Sequence, residues 1–148
     1  MGLIINNFET AQGWVLTDGY YRLDNINWDI TNGVLYAVLH LYVSKEAAEN
    51  GKSFIPTETI SYEFNLAETS KDVVSACYNY IINTIDTYVK IEAEIAAYEA
   101  DENNYTIEYG ENEEETERQL IPNEELYSQR ITLPSGFEKL LNASLEEE

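Results

Sequence analysis

The sequence has little of several residue types on which specialised sites are built. Its 148 residues include one cysteine, which excludes an internal disulfide and a cysteine-based zinc site. They include one histidine, His40, and a single imidazole supplies neither a metal cage nor a base for an identified nucleophile. No apolar run approaches the roughly 20 residues of a membrane-spanning helix, and the chain opens without a positively charged leader. We therefore expect a chain with no metal, no cofactor and no membrane association, made in a cytoplasm.

Positive charge is scarce as well, because eight Lys and Arg residues stand against 28 Asp and Glu residues. The formal net charge is −20, and the basic residues are scattered along the sequence. Since a phosphate backbone is bound by clustered Lys and Arg side chains, we expect no nucleic-acid partner. Three interpretations of the acidity stay open: solubility with repulsion between copies, docking on a basic partner, and imitation of the charge of DNA.

What the sequence does contain is a series of strand patterns between Tyr20 and Leu66. Apolar and polar residues alternate there in three segments separated by turn signals, which predicts an antiparallel β-meander. Asn32-Gly33 predicts a tight two-residue turn of type I′, in which both residues take a positive φ. The segment 34–43 is apolar at nearly every position, so it should be a central strand that needs cover on both faces. Either the domain is two-layered, with a helix on one side, or a partner chain covers the second face.

Two local features are predicted beside these strands. Tyr21 is out of phase with Ile26, and because side chains alternate along a strand, a bulge near Asp24-Asn25 restores the phase. After the central strand, Ser44 is suited to cap one helical turn, and Asn50-Gly51 is suited to end it.

A long helix is predicted over about 70–100, because apolar residues recur at spacings of three and four from Val74 to Tyr98. Thr69-Ser70 fits its N-cap. Such a helix would be ~45 Å long, whereas strands of six to ten residues span only ~20 to 35 Å. The helix should therefore overhang its sheet or break near Lys90. An overhanging apolar stripe needs a partner chain to cover it.

The composition changes at Asp101, since residues 101–148 carry 14 acids and 3 bases. The charge run 111–117 predicts an exposed loop. Short alternating segments predict further strands, and a terminal helix is predicted from near Ser135. Whether this tail folds back as an added hairpin or wraps a neighbouring subunit stays open at this point.

The predicted fold class is therefore α+β, with an antiparallel β-meander packed against one long α-helix and followed by an acidic, partly extended tail. We assign the meander and the helix to one domain, residues 1–100. The acidic extension, with short strands and a terminal helix, is residues 101–148.

Aromatic residues are the richest candidates for a functional surface, because the chain has 12 Tyr and 2 Trp. Aromatic side chains with a polar tip are enriched at interfaces, although Tyr is also an ordinary strand residue. We interpret His40 as a packing residue, and Cys77 as a buried, inert thiol. We assign a protein interface to eight residues of the central strand and the helix stripe: Tyr36, Tyr42, Tyr78, Ile81, Ile85, Tyr88, Ile95 and Tyr98.

The order of several landmarks between Tyr20 and Tyr80 resembles that of small proteins encoded among the structural genes of tailed bacteriophages. In that group a sheet strand leads through a Ser-Lys-Glu-Ala link to a Tyr-x-Phe strand and a helix with paired tyrosines. Phe54 stands where the group often has a proline, and the acidic region after residue 100 departs from the group's shorter pattern. The matching segments are Gly19-Tyr20-Tyr21-Arg22-Leu23-Asp24, Leu41-Tyr42-Val43, Ser44-Lys45-Glu46-Ala47-Ala48-Glu49-Asn50-Gly51-Lys52-Ser53-Phe54-Ile55-Pro56, Tyr62-Glu63-Phe64 and Tyr78-Asn79-Tyr80-Ile81.

The resemblance implies a non-enzymatic virion component of the tail, baseplate or neck, and it brings no catalytic residues with it. Such a protein would be assembled in the host cytoplasm with other virion proteins, as a homo-oligomer or in a hetero-assembly. A capsid decoration protein and a fibre adaptor are alternatives within this class. A second class is an acidic soluble inhibitor that imitates DNA, which requires carboxylates at regular spacing on one folded face. An enzyme ranks third, because we find no convergent set of polar groups.

Overall fold

The computed structural model describes residues 1–66, 72–111 and 115–146. Single 3₁₀ turns occur at Pro56–Glu58, Glu102–Asn104 and Phe137–Leu140. In chain order the strands and α-helices are β1 (Leu3–Glu9), β2 (Val15–Asp29), β3 (Val34–Tyr42), α1 (Lys45–Glu49), β4 (Ile60–Asn65), α2 (Val73–Ala100), β5 (Tyr105–Tyr109), β6 (Glu115–Leu120), α3 (Glu124–Tyr127) and β7 (Ser144–Leu145).

Five strands form one sheet in the order β4-β3-β2-β1-β7, and every neighbouring pair is antiparallel. The predicted meander corresponds to β2, β3 and β4, which lie side by side in sequence order. Together with the one long helix, this sheet confirms the α+β class. The short β7 pairs with β1, so residues near the two ends of the chain lie on neighbouring strands.

The predicted bulge in β2 is confirmed. The register between β2 and β3 shifts between Leu23 and Asn25, which leaves Asp24 without a partner residue opposite it. The extra residue lets the two out-of-phase halves of β2 face the same side. Tyr21 is fully buried in the core, and Ile26 packs against the same cluster.

The predicted two-residue turn between β2 and β3 is wrong. The last pair of the ladder is Asp29 with Val34, so four residues form the connection. Gly33 has a φ of 68°, but Asn32 keeps a negative φ, and a type I′ turn needs a positive φ at both positions. The Asp29 carboxylate accepts hydrogen bonds from the Asn32 backbone N–H at 3.2 Å and from its side-chain amide at 2.6 Å. These side-chain bonds stabilise a wider, capped loop.

The main core lies between the inner face of the sheet and the first half of α2. Four alternate residues of β3 are fully buried, as the alternation predicted, and the stripe of α2 packs against them. The 3₁₀ turn near the C-terminus adds Phe137 and Leu140 to the same core. The buried residues of β3 and α2 are Leu35, Ala37, Leu39, Leu41, Cys77, Tyr78, Ile81 and Ile85.

Helix α2 begins at Val73 and continues without a break to Ala100. Its 28 residues correspond to ~42 Å. Of the two alternatives, an overhang or a break near Lys90, the break is not what the structure has. Asp72 caps the helix, because its carboxylate accepts from the backbone N–H groups of Val74 at 3.1 Å and Ser75 at 3.3 Å. The predicted cap Thr69-Ser70 lies outside the described residues.

The chain divides into two compact units. The first unit comprises residues 1–85 and 133–148, and it contains the five-stranded sheet. The second unit comprises residues 86–132, with the later part of α2, the β5–β6 hairpin and α3. The first unit thus takes residues from both sides of the boundary predicted at residue 100.

Within the second unit, residues that follow α2 in the sequence contact the helix. Ile91 and Ile95 of α2 are 7% and 2% exposed, so this part of the stripe is buried inside the chain. The Tyr98 hydroxyl donates to the Ile121 carbonyl, and the Tyr127 hydroxyl donates to the Glu99 carboxylate at 2.7 Å.

Two details of the tail differ from the predictions. Strand β6 begins at Glu115, inside the run that was predicted as a loop, because Glu115 pairs with Tyr109 across the hairpin. Residues 112–114 of that run lie outside the described residues. The predicted terminal helix is only the 3₁₀ turn Phe137–Leu140, which follows Gly136 with a φ of 92°.

Candidate functional site

The outer face of the sheet is partly covered by the chain itself. Tyr20, Tyr42 and Ala48 form a small buried cluster there, and Ile4 and Phe54 pack against it. Ala48 belongs to α1, whose predicted cap is confirmed because the Ser44 hydroxyl accepts from the Ala47 N–H at 3.1 Å. The link between β3 and β4 therefore supplies the second layer over one part of the outer face.

A polar cluster that we call the Asp24 hub fixes this link to the sheet. The Asp24 carboxylate, at the bulge, accepts from the Arg22 Nε at 2.5 Å, from the Tyr42 hydroxyl at 2.5 Å and from the His40 Nδ1 at 2.8 Å. Since a carboxylate only accepts, the proton of the imidazole lies on Nδ1. Burial acts to raise the pKa of Asp24, but the three hydrogen bonds outweigh it and hold this pKa below its usual value.

The other side chains of the hub reach the link directly. Arg22 donates from Nη1 to the Ala48 carbonyl at 3.1 Å and lies over the Tyr42 ring, 4.8 Å from its centre. The His40 ring stacks on Phe54, with the ring centres 3.7 Å apart and the planes 3° from parallel. The hub therefore joins β2, β3, α1 and the loop that contains Phe54. Its charged side chains hold these elements together.

Other described residues of the outer face are more exposed. Tyr36 is 45% exposed in the middle of β3, and its cross-strand neighbours are Asn27 on one side and Glu63 on the other. Val34 and Val38 flank it on the same face and are half-buried. This strip of apolar and aromatic surface is framed by polar residues, an arrangement typical of recognition surfaces.

A groove continues this strip around the end of β4, and we call it the edge groove. It has a volume of about 520 Å³ and is lined by Val34, Glu63, Phe64, Asn65 and Tyr80. The rings of Phe64 and Tyr80 stack with their centres 4.5 Å apart and their planes 10° from parallel. One carboxylate, one amide and an aromatic wall thus meet at one place.

The predicted interface residues fall into different environments. Tyr36 is exposed, Tyr42 is 5% exposed inside the hub, and Tyr88 and Tyr98 are half-buried in the second unit. The others pack within the chain, because the stripe that predicted an interface is the stripe that forms the core. An interface role for these residues stays a prediction. The buried members are Tyr78, Ile81, Ile85 and Ile95, which are between 0% and 6% exposed.

His40 and Cys77, which we interpreted from the sequence as a packing residue and a buried, inert thiol, both contact other parts of the chain. His40 belongs to the hub. Cys77 is fully buried, and burial raises the pKa of its thiol to about 11, which agrees with an unreactive thiol.

Two polar groups of the structure were not predicted from the sequence. The Asp24 hub joins residues up to 26 positions apart, and the bulge was its only local signal. Glu58 is 2% exposed, accepts from the Ala11 N–H at 2.6 Å and pairs with Lys139 at 2.9 Å. Nothing in the local pattern around Glu58 marks it as a buried charge.

Within the described ranges, no group of three His, Cys, Asp or Glu side chains is arranged to hold a metal ion. Among the helices of this part of the chain, none is long and apolar enough to cross a membrane. Compared with protein-family models, with curated proteins and with solved structures, the chain matches none.

Proposed function

We propose that the chain is a non-enzymatic structural component of a tailed-phage virion, located in the tail, the baseplate or the neck. It acts by protein–protein assembly, through the outer face of its sheet. Its partners are other virion proteins, in a hetero-assembly or together with further copies of itself.

One observation carries this proposal. The segments on which the phage resemblance depends supply most of the residues of the hub and of the edge groove. The first of them supplies Arg22 and Asp24, the link supplies Ala48 and Phe54, and the later ones supply Glu63, Phe64 and Tyr80. The motifs of the resemblance thus lie at the hub and the edge groove of the first unit. This coincidence supports an assembly role.

The charge of the chain assists such a role. An acidic surface repels wrong partners and attracts a basic one, and it contributes more to specificity and association rate than to affinity. A typical stable interface buries ~1,600 Å² in total, so the edge groove would be one part of a larger contact.

The proposal is tested on purified particles. Virions from a lysate of the phage that encodes the chain would be isolated on a density gradient and analysed by quantitative mass spectrometry. We expect the chain in a fixed ratio to the major tail protein. A chain found in the soluble fraction and absent from the particles would overturn the proposal, whereas a fixed ratio to the major capsid protein in tailless heads would indicate a decoration protein.

The second candidate is an acidic inhibitor that imitates DNA, and the charge of the second unit favours it. Residues 86–132 carry 14 acids against 3 bases. Salt-sensitive binding to a basic DNA-binding protein, competed by duplex DNA, would support this candidate over the first.

A further inference from the structure

Strand β4 is the last strand of the five-stranded sheet, so one of its sides is paired with β3. Among the residues that the structure describes, no strand pairs with its other side, which we call the free edge. The register joins Val34 to Asn65, and the Leu66 N–H donates to the Gly33 carbonyl at 2.7 Å. In an antiparallel ladder, residues that exchange hydrogen bonds alternate with residues that do not. Phe64 therefore directs its backbone groups to β3, whereas Glu63 and Asn65 direct theirs to the free edge.

The backbone of β4 and the side chains of the edge groove are both suited to bind an extended peptide segment. Glu63 and Asn65 are exposed residues, and their outward-directed N–H and C=O groups are a template for an added strand. The edge groove begins at these two residues, so a strand that pairs there would place a side chain in it.

The chemistry of the groove selects a cationic side chain. Among the described residues, no ion pair engages the Glu63 carboxylate, and the Phe64–Tyr80 stack lies beside it. Arginine pairs with a carboxylate through two parallel hydrogen bonds and also stacks on aromatic rings. An arginine would therefore use both the charge and the ring surface of the groove.

A second copy of this chain fits the groove poorly. Each copy carries a net charge of −20, so a copy that docked on the edge would bring further carboxylates toward Glu63. Several cations of the chain are already held by its own acids: Arg22 by Asp24, Lys45 by Glu146, Arg130 by Glu92 and Lys139 by Glu58. Charge complementarity points to a different, basic protein.

We propose that the free edge of β4 at Glu63 and Asn65 receives an extended segment of a partner protein as an added strand, with an arginine of that segment in the edge groove against Glu63, Phe64 and Tyr80. This inference rests on the proposed function, because it gives the chemistry of one partner of an assembly protein.

The test uses the full chain, labelled with ¹⁵N, and two matched peptides at about 0.15 M salt, where the Debye length is about 8 Å. The first peptide is acetyl-Thr-Val-Arg-Val-Thr-amide, and in the second the arginine is replaced by neutral citrulline. We expect chemical-shift changes at the amides of Ser61, Glu63 and Asn65 with the arginine peptide. The citrulline peptide should bind at least about threefold more weakly.

Two variants separate the contributions of charge and backbone. Glu63→Gln keeps the shape of the side chain and should weaken the arginine peptide by about three- to fivefold. Asn65→Pro removes an outward N–H without touching the ladder to β3 and should weaken both peptides by about three- to tenfold. The control is Glu9→Gln, which removes one exposed charge outside the groove and should leave both affinities unchanged. Far-UV circular dichroism checks the fold, and Glu63→Gln keeps the test decisive if the proline variant fails to fold.

Several results would overturn the inference. One is an absence of shifts at the free edge at millimolar peptide. Another is an equal loss of affinity for the arginine peptide in Glu63→Gln and Glu9→Gln, because the binding would then depend on the net charge alone. A third is a dimer of the chain, seen by light scattering, that Asn65→Pro dissociates, because a second copy would then occupy the edge. A chain that is present in virions and does not bind the peptide contradicts only this inference, and a chain that binds it and is absent from virions contradicts only the proposed function.

Discussion

The two units carry the same number of acids and differ in how many apolar residues they bury. The first has 14 acids and 5 bases in residues 1–85 and 133–148, and the second has 14 acids and 3 bases in residues 86–132. Among the residues whose burial is described, the second unit contributes only Ile91 and Ile95 to the buried hydrophobic set. The first unit contributes all the others, including both core clusters.

The difference shows that the two units are stabilised by different interactions. Apolar burial, at about 25 cal/mol per Å², stabilises the first unit. The second relies on polar contacts near the surface, such as Arg130 with Glu92 at 2.8 Å and Tyr127 with Glu99 at 2.7 Å. The Glu99 carboxylate raises the pKa of Tyr127 to about 12. We therefore expect the second unit to open at a lower free energy than the first.

The largest effect should come from removing a buried ring of the first unit. Phe137 is fully buried, and its ring meets that of Tyr62 edge to face at 5.3 Å. Phe137→Ala should lower the free energy of unfolding by about 3–5 kcal/mol, measured by urea denaturation. The control is Leu141→Ala, at a residue that is 39% exposed, which should cost less than about 1 kcal/mol. Equal effects of the two variants would show that the C-terminal segment does not complete the core.

A smaller effect is expected from the buried acid of the first unit. Glu58→Gln should cost about 2 kcal/mol, because it leaves the Lys139 ammonium, 28% exposed, without its partner. Burial acts to raise the pKa of Glu58, but the Ala11 N–H and Lys139 outweigh it and lower this pKa. The stabilisation is therefore complete above the unfolded-state pKa of about 4.3 and disappears as the pH falls through the lower folded-state pKa.

The variant Glu58→Gln also tests how the free energy of unfolding depends on pH. Denaturation between pH 3 and pH 7 should show a smaller loss of stability in Glu58→Gln than in the unmodified chain. A variant that loses stability as steeply as the unmodified chain would show that Glu58 does not carry this part of the acid response.

The Asp24 hub should give an effect of about 1–2 kcal/mol. Asp24→Asn keeps the size of the side chain, but it removes the charge on which three donors converge. Because the hub holds α1 and the Phe54 loop, hydrogen exchange should accelerate at residues 45–54 more than in the core of β3. Uniform acceleration through the first unit would instead show that the hub contributes to global stability only.

The smallest effect should come from the second unit. Arg130→Gln breaks the paired contact with Glu92 at 2.9 Å and 2.8 Å on the exposed surface. We expect no resolvable change in the main unfolding transition, and faster hydrogen exchange in residues 86–132. Added salt should reduce the difference between the variant and the unmodified chain, since exposed ion pairs are screened. A shift of the main transition would mean that the two units unfold together.

Predictions from the sequence succeeded where a local pattern decides the structure. The alternation of β3 and β4, the phase shift that marks the bulge, the Ser44 cap and the stripe of α2 all depend on residues close together in sequence. The fold class followed from these elements alone.

What could not be predicted depends on contacts between distant residues. The pairing of β1 with β7 joins Leu3 to Leu145, and the partner of Glu58 is 81 positions away at Lys139. The prediction of the turn after Asp29 was wrong for a different reason. Hydrogen bonds to the Asp29 carboxylate outweighed the preference of Asn32-Gly33 for a two-residue type I′ turn. The edge groove exists because β4 is the last strand of the sheet, and the order of the strands cannot be predicted from a local pattern.

The bulge at Asp24 has a consequence at the level of the gene. Loss of the single codon for Asp24 would keep the reading frame, and it would leave a strand without its extra residue. Because Leu23 lies opposite Leu39 and Asn25 opposite Val38, the shortened strand would form a regular ladder in which Tyr21 and Ile26 still face the same side. At this position a one-codon deletion should therefore keep the register of the sheet, and its cost should be the loss of the carboxylate on which Arg22, His40 and Tyr42 converge.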